Sequence, residues 1–316
     1  MSAYPRVAEF VEALNTKLLG QQRLVERLVL ALIAEGHVLI EGAPGLAKTR
    51  AVRELANKMQ ASFKRVQFTP DLMPADLTGS DVFRPQTGDF QFQAGPLFHQ
   101  LILADEINRA QAKVHSALLE AMAEKQITVG QHTYQLPKPF VVIATQNPLE
   151  NEGTYALPEA QLDRFLLHVT VDYPDAALEK DILQLVRGEA ANQQPDDGRG
   201  MISPIEIQAA QKEVQQVKVS AAVEDYMIRL VMGTREGGVL APLLEAGVSP
   251  RGTIALDQCS RGHAWLRGRD YVLPDDVQAV APDVLRHRML LSLKAQASGI
   301  SREQLVQSLL DQVSAV

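Results

Sequence analysis

A lysine and a threonine stand together at 48 and 49, closing the stretch HVLIEGAPGLAKTR over 37–50. These two side chains suit phosphate chemistry. The apolar run 37–40 predicts a buried strand. Gly42, Ala43, Pro44, Gly45, Leu46 and Ala47 supply a tight loop, and a helix is predicted from there to about residue 59. In that setting the loop N–H groups and the helix N-terminus point at one anionic spot. Lys48 adds a point charge on β- and γ-phosphates, and the Thr49 hydroxyl is a ligand for Mg²⁺. Position 47 departs from G-x-x-x-x-G-K-[ST] in being Ala. Its Cβ is tolerable with helical dihedrals and intolerable where φ must be positive. The plainer alternative is a strand–turn–helix that carries a surface Lys-Thr.

A second source of chemistry is the carboxylate pair Asp105–Glu106, which ends the apolar strand predicted over 100–104. There the first carboxylate holds Mg²⁺ through its water shell and the second polarises an attacking water. Asn147 ends the strand predicted over 140–144 (FVVIA). A polar amide there could orient the lytic water, although an Asn that caps the turn before Pro148 is the commoner use. Arg164 closes a short helix that begins at 157–158. It either pairs with Asp163 or Glu159 on the surface or reaches the γ-phosphate of a neighbouring subunit. Ser249, Pro250 and Arg251 read as the N-cap and first two positions of a helix. A cation there opposes the helix dipole, which an exposed Arg aimed across an interdomain cleft would explain. Gly20 and Gln21, at a helix–helix junction ahead of the first strand, mark a candidate site for a purine base. An ordinary capped junction is the alternative.

The elements that must position these residues alternate in type. Apolar residues at helical spacing predict helices over 7–18 and 21–34, with Gly20 and Gly36 as their stops. Strands are predicted over 37–40, 63–69, 100–104, 140–144 and 165–171, separated by helices over 48–59, 110–124 and 157–164. Segment 70–98, rich in Pro and Gly, carries a hairpin that turns at Thr87-Gly88-Asp89, and a second hairpin turns at Gly130-Gln131 within 126–136. Asp175 caps a helix that runs to about residue 186. A polar linker, GEAANQQPDDGRG over 188–200, marks a domain boundary. After it only helical patterns follow, over 204–216, 220–235, 251–267 and 274–290.

With 316 residues the chain can bury two cores. A net charge of −7 argues against a large electrostatic footprint on nucleic acid. The single cysteine, Cys259, excludes an internal disulfide framework and is expected to be an inert buried thiol. Trp265 is expected in the core. The seven histidines show no metal-ligand spacing, so no metal beyond Mg²⁺ is expected. No apolar run approaches the length of a membrane span, and the N-terminus lacks a signal-peptide layout. A cytoplasmic protein is expected.

GAPGLAKT, LADEINRA, ATQNP, GTYALPEAQLDRF and SPRG occur in this order over most of residues 20–252. The chain resembles the AAA+ ATPases and, within them, the MoxR type of the chelatase and MCM-like branch, in which Ala is a common variant at position 47. The resemblance implies an α/β fold: an AAA+ P-loop NTPase core with a five-stranded parallel sheet over 1–188, and a C-terminal all-helical lid domain over 189–316. It implies ATP/ADP and Mg²⁺ as cofactors. Lys48 and Thr49 become Walker A residues; Asp105 and Glu106 become Walker B, Glu106 positioning water. Asn147 becomes sensor 1, Arg164 the arginine finger acting in trans, and Arg251 sensor 2 reaching the nucleotide from the lid. Arg109 also lies near the expected interface, so it is the other candidate finger. Segment 70–98 matches the helix-2 insert and 126–136 the pre-sensor-1 hairpin. The resemblance further implies a homo-oligomer, a hexameric ring, with a protein partner carrying a von Willebrand factor A domain and a role in maturation or metal insertion.

Two other functions fit these residues less well. A nucleic-acid motor would present cations at the 126–136 hairpin, which carries His132 but no Lys or Arg at its tip. A small-molecule kinase or GTPase leaves the helical lid with Arg251, and the Asn147 and Arg164 constellation, without a purpose.

Overall fold

The computed structural model describes residues 2–43, 45–46, 48–148, 153–191 and 200–315. Two helices open the chain, α1 (Tyr4–Lys17) and α2 (Gln22–Ile33). They are followed by β1 (Val38–Gly42), α3 (Lys48–Lys58), β2 (Phe63–Gln67) and the short α4 (Pro74–Thr78). A ribbon of β3 (Gly79–Arg84) and β4 (Asp89–Ala94) leads to β5 (Leu101–Asp105) and α5 (Ala112–Glu124). A second ribbon, β6 (Gln126–Val129) and β7 (His132–Gln135), leads to β8 (Val141–Gln146), α6 (Glu159–Leu162), β9 (Leu167–Val171) and α7 (Ala176–Ala191). The C-terminal part comprises α8 (Pro204–Gln215), α9 (Ala221–Met232), β10 (Leu244–Ala246), α10 (Pro250–Leu266), α11 (Pro274–Leu285), β11 (Leu290–Leu291), α12 (Leu293–Ala297) and α13 (Arg302–Gln312).

Five strands form one sheet in the order β2-β5-β8-β1-β9, all parallel. Parallel strands are covered on both faces and therefore read as continuous apolar runs. Side chains alternate between the faces. Leu101 and Leu103 join a core shared with α1, α2, α3 and the C-terminal helices, whereas Ile102 and Ala104 join a second core under α4 and α5. Because every strand runs the same way, all carboxyl ends emerge on one edge of the sheet, and the phosphate-loop stretch leaves that edge from β1, between β8 and β9. Trp265 and Cys259 are buried as expected, and burial pushes the Cys259 thiol up to about 12.

Three features differ from the sequence reading. Helix α7 continues to Ala191, past the expected stop near 186, and residues 192–199 of the expected linker lie outside the described residues. The helix expected over 274–290 ends at Leu285. There the chain tightens into a 3₁₀ turn over Arg286–Arg288, whose side chains bond the carbonyl oxygens of His168 and Phe165. The chain then pairs β11 with β10, an antiparallel addition to the helical region. The two ribbons pack on each other: Phe92 stacks on Tyr134 with ring centroids 4.1 Å apart, while Phe83 and Phe90 stand exposed at the outer end.

Three buried histidines tie the elements together as neutral rings. His37 Nδ1 accepts from the Val142 N–H and Nε2–H donates to the Met122 carbonyl; burial depresses its pKa to about 4. Burial likewise lowers His287 and His115, which bond the Phe165 and Ile107 carbonyls. Each folded pKa lies below the unfolded value near 6.5. Their stabilisation is therefore complete above about pH 6.5 and is lost as pH falls toward 4, with His37 alone contributing about 3 kcal/mol. Thermal unfolding followed by circular dichroism should show a flat melting temperature from pH 8 to about 6.5 and a steep decline below it. A curve that stays flat to pH 4 contradicts this account.

Candidate active site

The phosphate-loop stretch leaves β1 at Gly42, where a Cβ would fall 2.6 Å from the Val171 carbonyl oxygen, so side-chain-free backbone is needed. Gly45 has φ +83°, open to glycine at little cost. Ala43 and Leu46 are buried, anchoring the loop. Pro44 and Ala47 lie outside the described residues. Helix α3 starts at Lys48, whose Nζ donates to the Gly42 carbonyl and, at 3.3 Å, to the Gln146 carbonyl, bridging the ends of β1 and β8. A cleft of about 330 Å³ opens here, and Lys48, Thr49, Asp105, Glu106, Thr145 and Asn147 all line it.

The carboxylate pair is held tightly. Asp105 is buried; its Oδ1 accepts from the Thr145 hydroxyl at 2.5 Å, and its Oδ2 from Arg65 Nη2 at 2.6 Å and Nε at 2.9 Å. Thr49 Oγ1 donates to the same Oδ2 at 3.4 Å. The Thr145 hydroxyl also accepts the Glu106 N–H at 3.0 Å. Glu106 adopts a left-handed backbone, φ +56° and ψ +51°, which costs a non-glycine residue roughly 1–2 kcal/mol. Strain at such a place is characteristic of functional positions. Its carboxylate is met by Gln67 Nε2 at 2.6 Å and by Arg109 Nε at 3.1 Å. Arg109, expected near a subunit interface, thus pairs with Glu106 of its own chain.

The donor set at Thr49 and Asp105 is all hard oxygen. That suits Mg²⁺, which takes few protein oxygens and completes its shell with water and phosphate. Beside the cleft, sharing Gly45, Leu46 and Arg50 with it, lies a second cavity of about 130 Å³ walled by Leu18, Leu19, Gln21, Pro174, Ile182 and Leu185. Its apolar walls and position suit a planar heterocycle. Gln21 lines it. Gly20, at φ +72°, instead lets α7 approach, since a Cβ there would lie 2.0 Å from Leu178 Cδ2.

Arg164 and Arg251 are elsewhere. Together with Asp163 and Arg288 they line a third cleft of about 320 Å³, alongside His37 and Leu166. Those two residues immediately precede the strands β1 and β9, so this cleft opens at the amino ends of the sheet. The five residues of β1 separate it from the phosphate loop, a distance of about 16 Å at ~3.3 Å per residue. Arg251, expected to face the phosphate-loop cleft from the lid, thus lines the amino-end cleft in this structure. The reason is one carboxylate. Asp163 Oδ2 accepts from Ser249 Oγ, the N-cap of α10, at 2.8 Å, and Oδ1 accepts from the buried Arg288 Nε at 2.8 Å. This fixes the start of α10 beside Arg164, with Arg251 Nη1 3.8 Å from Asp163 and half exposed. Arg164 Nη1 donates to the Leu119 carbonyl at 2.7 Å.

Residues 37–167 match the family model described as ATPase family associated with various cellular activities (AAA), and 239–309 match an AAA lid domain. A crystal structure of a candidate ATPase from Cytophaga hutchinsonii superposes with a TM-score of 0.90 at 40% identity, covering 99% of this chain and 95% of that one. Chaperone MoxR1 of Mycobacterium tuberculosis is 42% identical over 302 residues, 94% of this chain and 79% of that protein. Protein MoxR of Paracoccus denitrificans is 33% identical over 98% of this chain and 94% of its own length. The chain belongs to the MoxR family of AAA+ ATPases. Its activity is accordingly ATP hydrolysis, on a five-stranded parallel core followed by a helical region. Among the described residues of this MoxR-family chain, no helix is long and apolar enough to cross a membrane.

Sequence reading missed Thr145, Arg65 and Gln67 in the site, and the Asp163–Ser249–Arg288 junction. Thr145 carried a readable signal, a hydroxyl at the end of an apolar strand next to the one ending in Asp105. The others depend on strand register and on how the C-terminal helices dock, which no local pattern encodes.

Proposed function

We propose that this chain is the ATP-hydrolysing subunit of a homo-oligomeric, hexameric ring that remodels or matures a protein partner in the cytoplasm. Residues 1–188 act as the nucleotide-binding core and 189–316 as its lid. The observation that carries the reading is the separation of the site into two clefts: lysine, threonine, carboxylates and Asn147 at the carboxyl end of the sheet, and two arginines at the amino end. A ring that stacks the amino-end cleft of one subunit on the carboxyl-end cleft of the next makes one complete site from two partial ones.

In that site Gly42–Thr49 cradle the phosphates with backbone N–H groups, and Lys48 neutralises the β- and γ-phosphates. Thr49 and, through water, Asp105 would hold Mg²⁺, which would supply positive charge to the phosphates. Gln21 and the apolar walls behind it take the adenine. Glu106 polarises the attacking water, and Asn147 orients that water against the γ-phosphate. Arg164 and Arg251 of the neighbouring subunit stabilise the charge that develops on the transferred group. The family resemblance supports a partner bearing a von Willebrand factor A domain, and insertion of a metal cofactor as one form of maturation.

Lys48→Ala tests the core of this reading. Fluorescent-ATP binding should weaken by at least about 10²-fold, since a charge-assisted phosphate contact in a dry cleft is worth roughly 3 kcal/mol, and turnover should vanish. Light scattering of the wild type with ATP should give a ring mass. A wild type that stays monomeric with every nucleotide, or turnover stimulated by DNA but not by any protein carrying a von Willebrand factor A domain, contradicts the proposal.

A further inference from the structure

The phosphate cleft and the second cavity beside it meet along a wall made by Gly45, Leu46 and Arg50, which line both. A nucleotide with its phosphates in the first and its base in the second must carry its sugar across that wall. Gly45 has no side chain, and Leu46 is apolar and buried. Among the described residues that line both spaces, Arg50 alone has a side chain able to hydrogen-bond a sugar. The other polar residues of the second cavity, Lys17, Gln21 and Glu179, do not line the phosphate cleft. Helix geometry explains the placement. Arg50 is the third residue of α3, and each residue turns about 100° from the last. Lys48 bridges the ends of β1 and β8, and Thr49 faces Asp105. Arg50 therefore points to a third side, toward α1. Its Nη2 donates to the carbonyl of Lys17, the last residue of α1, at 3.4 Å. Carbonyls in the last turn of a helix have no partner within it, and the helix dipole favours a cation there. The guanidinium is thus steadied, half-buried, at the join of the two spaces.

We propose that Arg50 reads the ribose hydroxyls of the bound nucleotide and makes the site prefer ribonucleotides over 2′-deoxyribonucleotides. This rests on the ATPase reading above. A guanidinium carries five N–H donors in a rigid fork and no acceptor, so neighbouring hydroxyl oxygens are fitting partners. An analogue that lacks the hydroxyl fills the same space and gives the charged donor nothing to bond. Sites built on a hydrogen bond to a substrate hydroxyl reject such analogues far better than apolar pockets do. A cation that acted on the phosphates instead would hold ribo- and deoxyribonucleotides alike. The preference between the two sugars therefore separates a sugar-reading role from a merely electrostatic one.

The test measures the Kd of the full chain for ADP and for 2′-deoxy-ADP, both with Mg²⁺, by isothermal titration calorimetry. The wild type should bind ADP about tenfold more tightly, the worth of one hydrogen bond to a charged group. Arg50→Met keeps the side-chain stem and removes the donors. It should weaken ADP to the affinity of 2′-deoxy-ADP and leave 2′-deoxy-ADP nearly unchanged, which also shows that the variant keeps its site. Arg50→Lys keeps the charge without the fork and should retain only part of the preference. Arg53→Gln removes the same charge from an exposed position further along α3, outside both cavities, and should retain all of it. Equal affinities in the wild type, or equal losses for both nucleotides in Arg50→Met, overturn the inference and leave the ATPase reading standing. A preference lost in Arg53→Gln overturns the direct contact. A wild type that binds neither nucleotide overturns the ATPase reading and this inference with it.

Discussion

Arg164→Ala is expected to lower ATP turnover by at least about 10³-fold while ATP affinity stays nearly unchanged. The substitution removes a cation from the amino-end cleft, remote from the phosphate loop of its own chain. The exposed guanidinium leaves behind only the Leu119 carbonyl, which water can satisfy. The decisive measurement is complementation. Subunits carrying Arg164→Ala keep a complete carboxyl-end cleft, and subunits carrying Glu106→Gln keep a complete amino-end cleft. Mixed, they should recover part of the activity at those interfaces where an intact finger faces an intact carboxylate. Arg251→Ala should complement Glu106→Gln in the same way, because Asp163, through Ser249 and Arg251, sets Arg251 in the same cleft as Arg164. Mixtures no more active than their components would mean that Arg164 acts within its own chain, or that Arg109 is the finger despite its pairing with Glu106.

Glu106→Gln should lower the single-turnover hydrolysis rate by about 10²–10⁴-fold, the usual worth of a positioned general base, and should retain ATP and Mg²⁺. The amide keeps the volume and can still accept from Gln67, so the left-handed backbone at 106 and the bonds of Thr145 are undisturbed. Loss comes from chemistry, not from collapse of the cleft. A rapid-quench measurement that finds the variant within tenfold of wild type would assign water activation to another group. The same variant, locked with ATP, is the reagent for capturing the partner protein.

What was legible in the sequence follows the range of each signal. The phosphate loop, Asp105–Glu106, both hairpins and the N-cap at Ser249 are encoded within a few residues of themselves, by spacing, turn chemistry and capping. Arg65 and Gln67 were invisible because their meaning depends on β2 lying beside β5 in one register. Shifted by one residue, the strand would present Lys64 and Val66 instead. Residues 286–288 fall inside the helix expected over 274–290; their burial depends on carbonyl groups of residues 165–168, more than a hundred positions away. Arg251 stands at its helix start, as its N-cap sequence indicates, and lines the amino-end cleft. The dipole argument says that such an arginine needs a partner but cannot say in which chain.

The stack of Phe92 on Tyr134 has a mechanical side. Strand β4 runs by a short turn into β5, whose far end holds Asp105, and β7 runs into β8, whose far end leads to Asn147. The strand that ends in Asp105 and the strand that leads to Asn147 are thus each extended by a ribbon, and the stacked rings clamp those ribbons into one body. Any sliding of β5 or β8 has to move the clamp as a whole. The clamped ribbons carry the exposed Phe83 and Phe90 at their outer end, and any displacement of that end is passed to the ends of both strands at once.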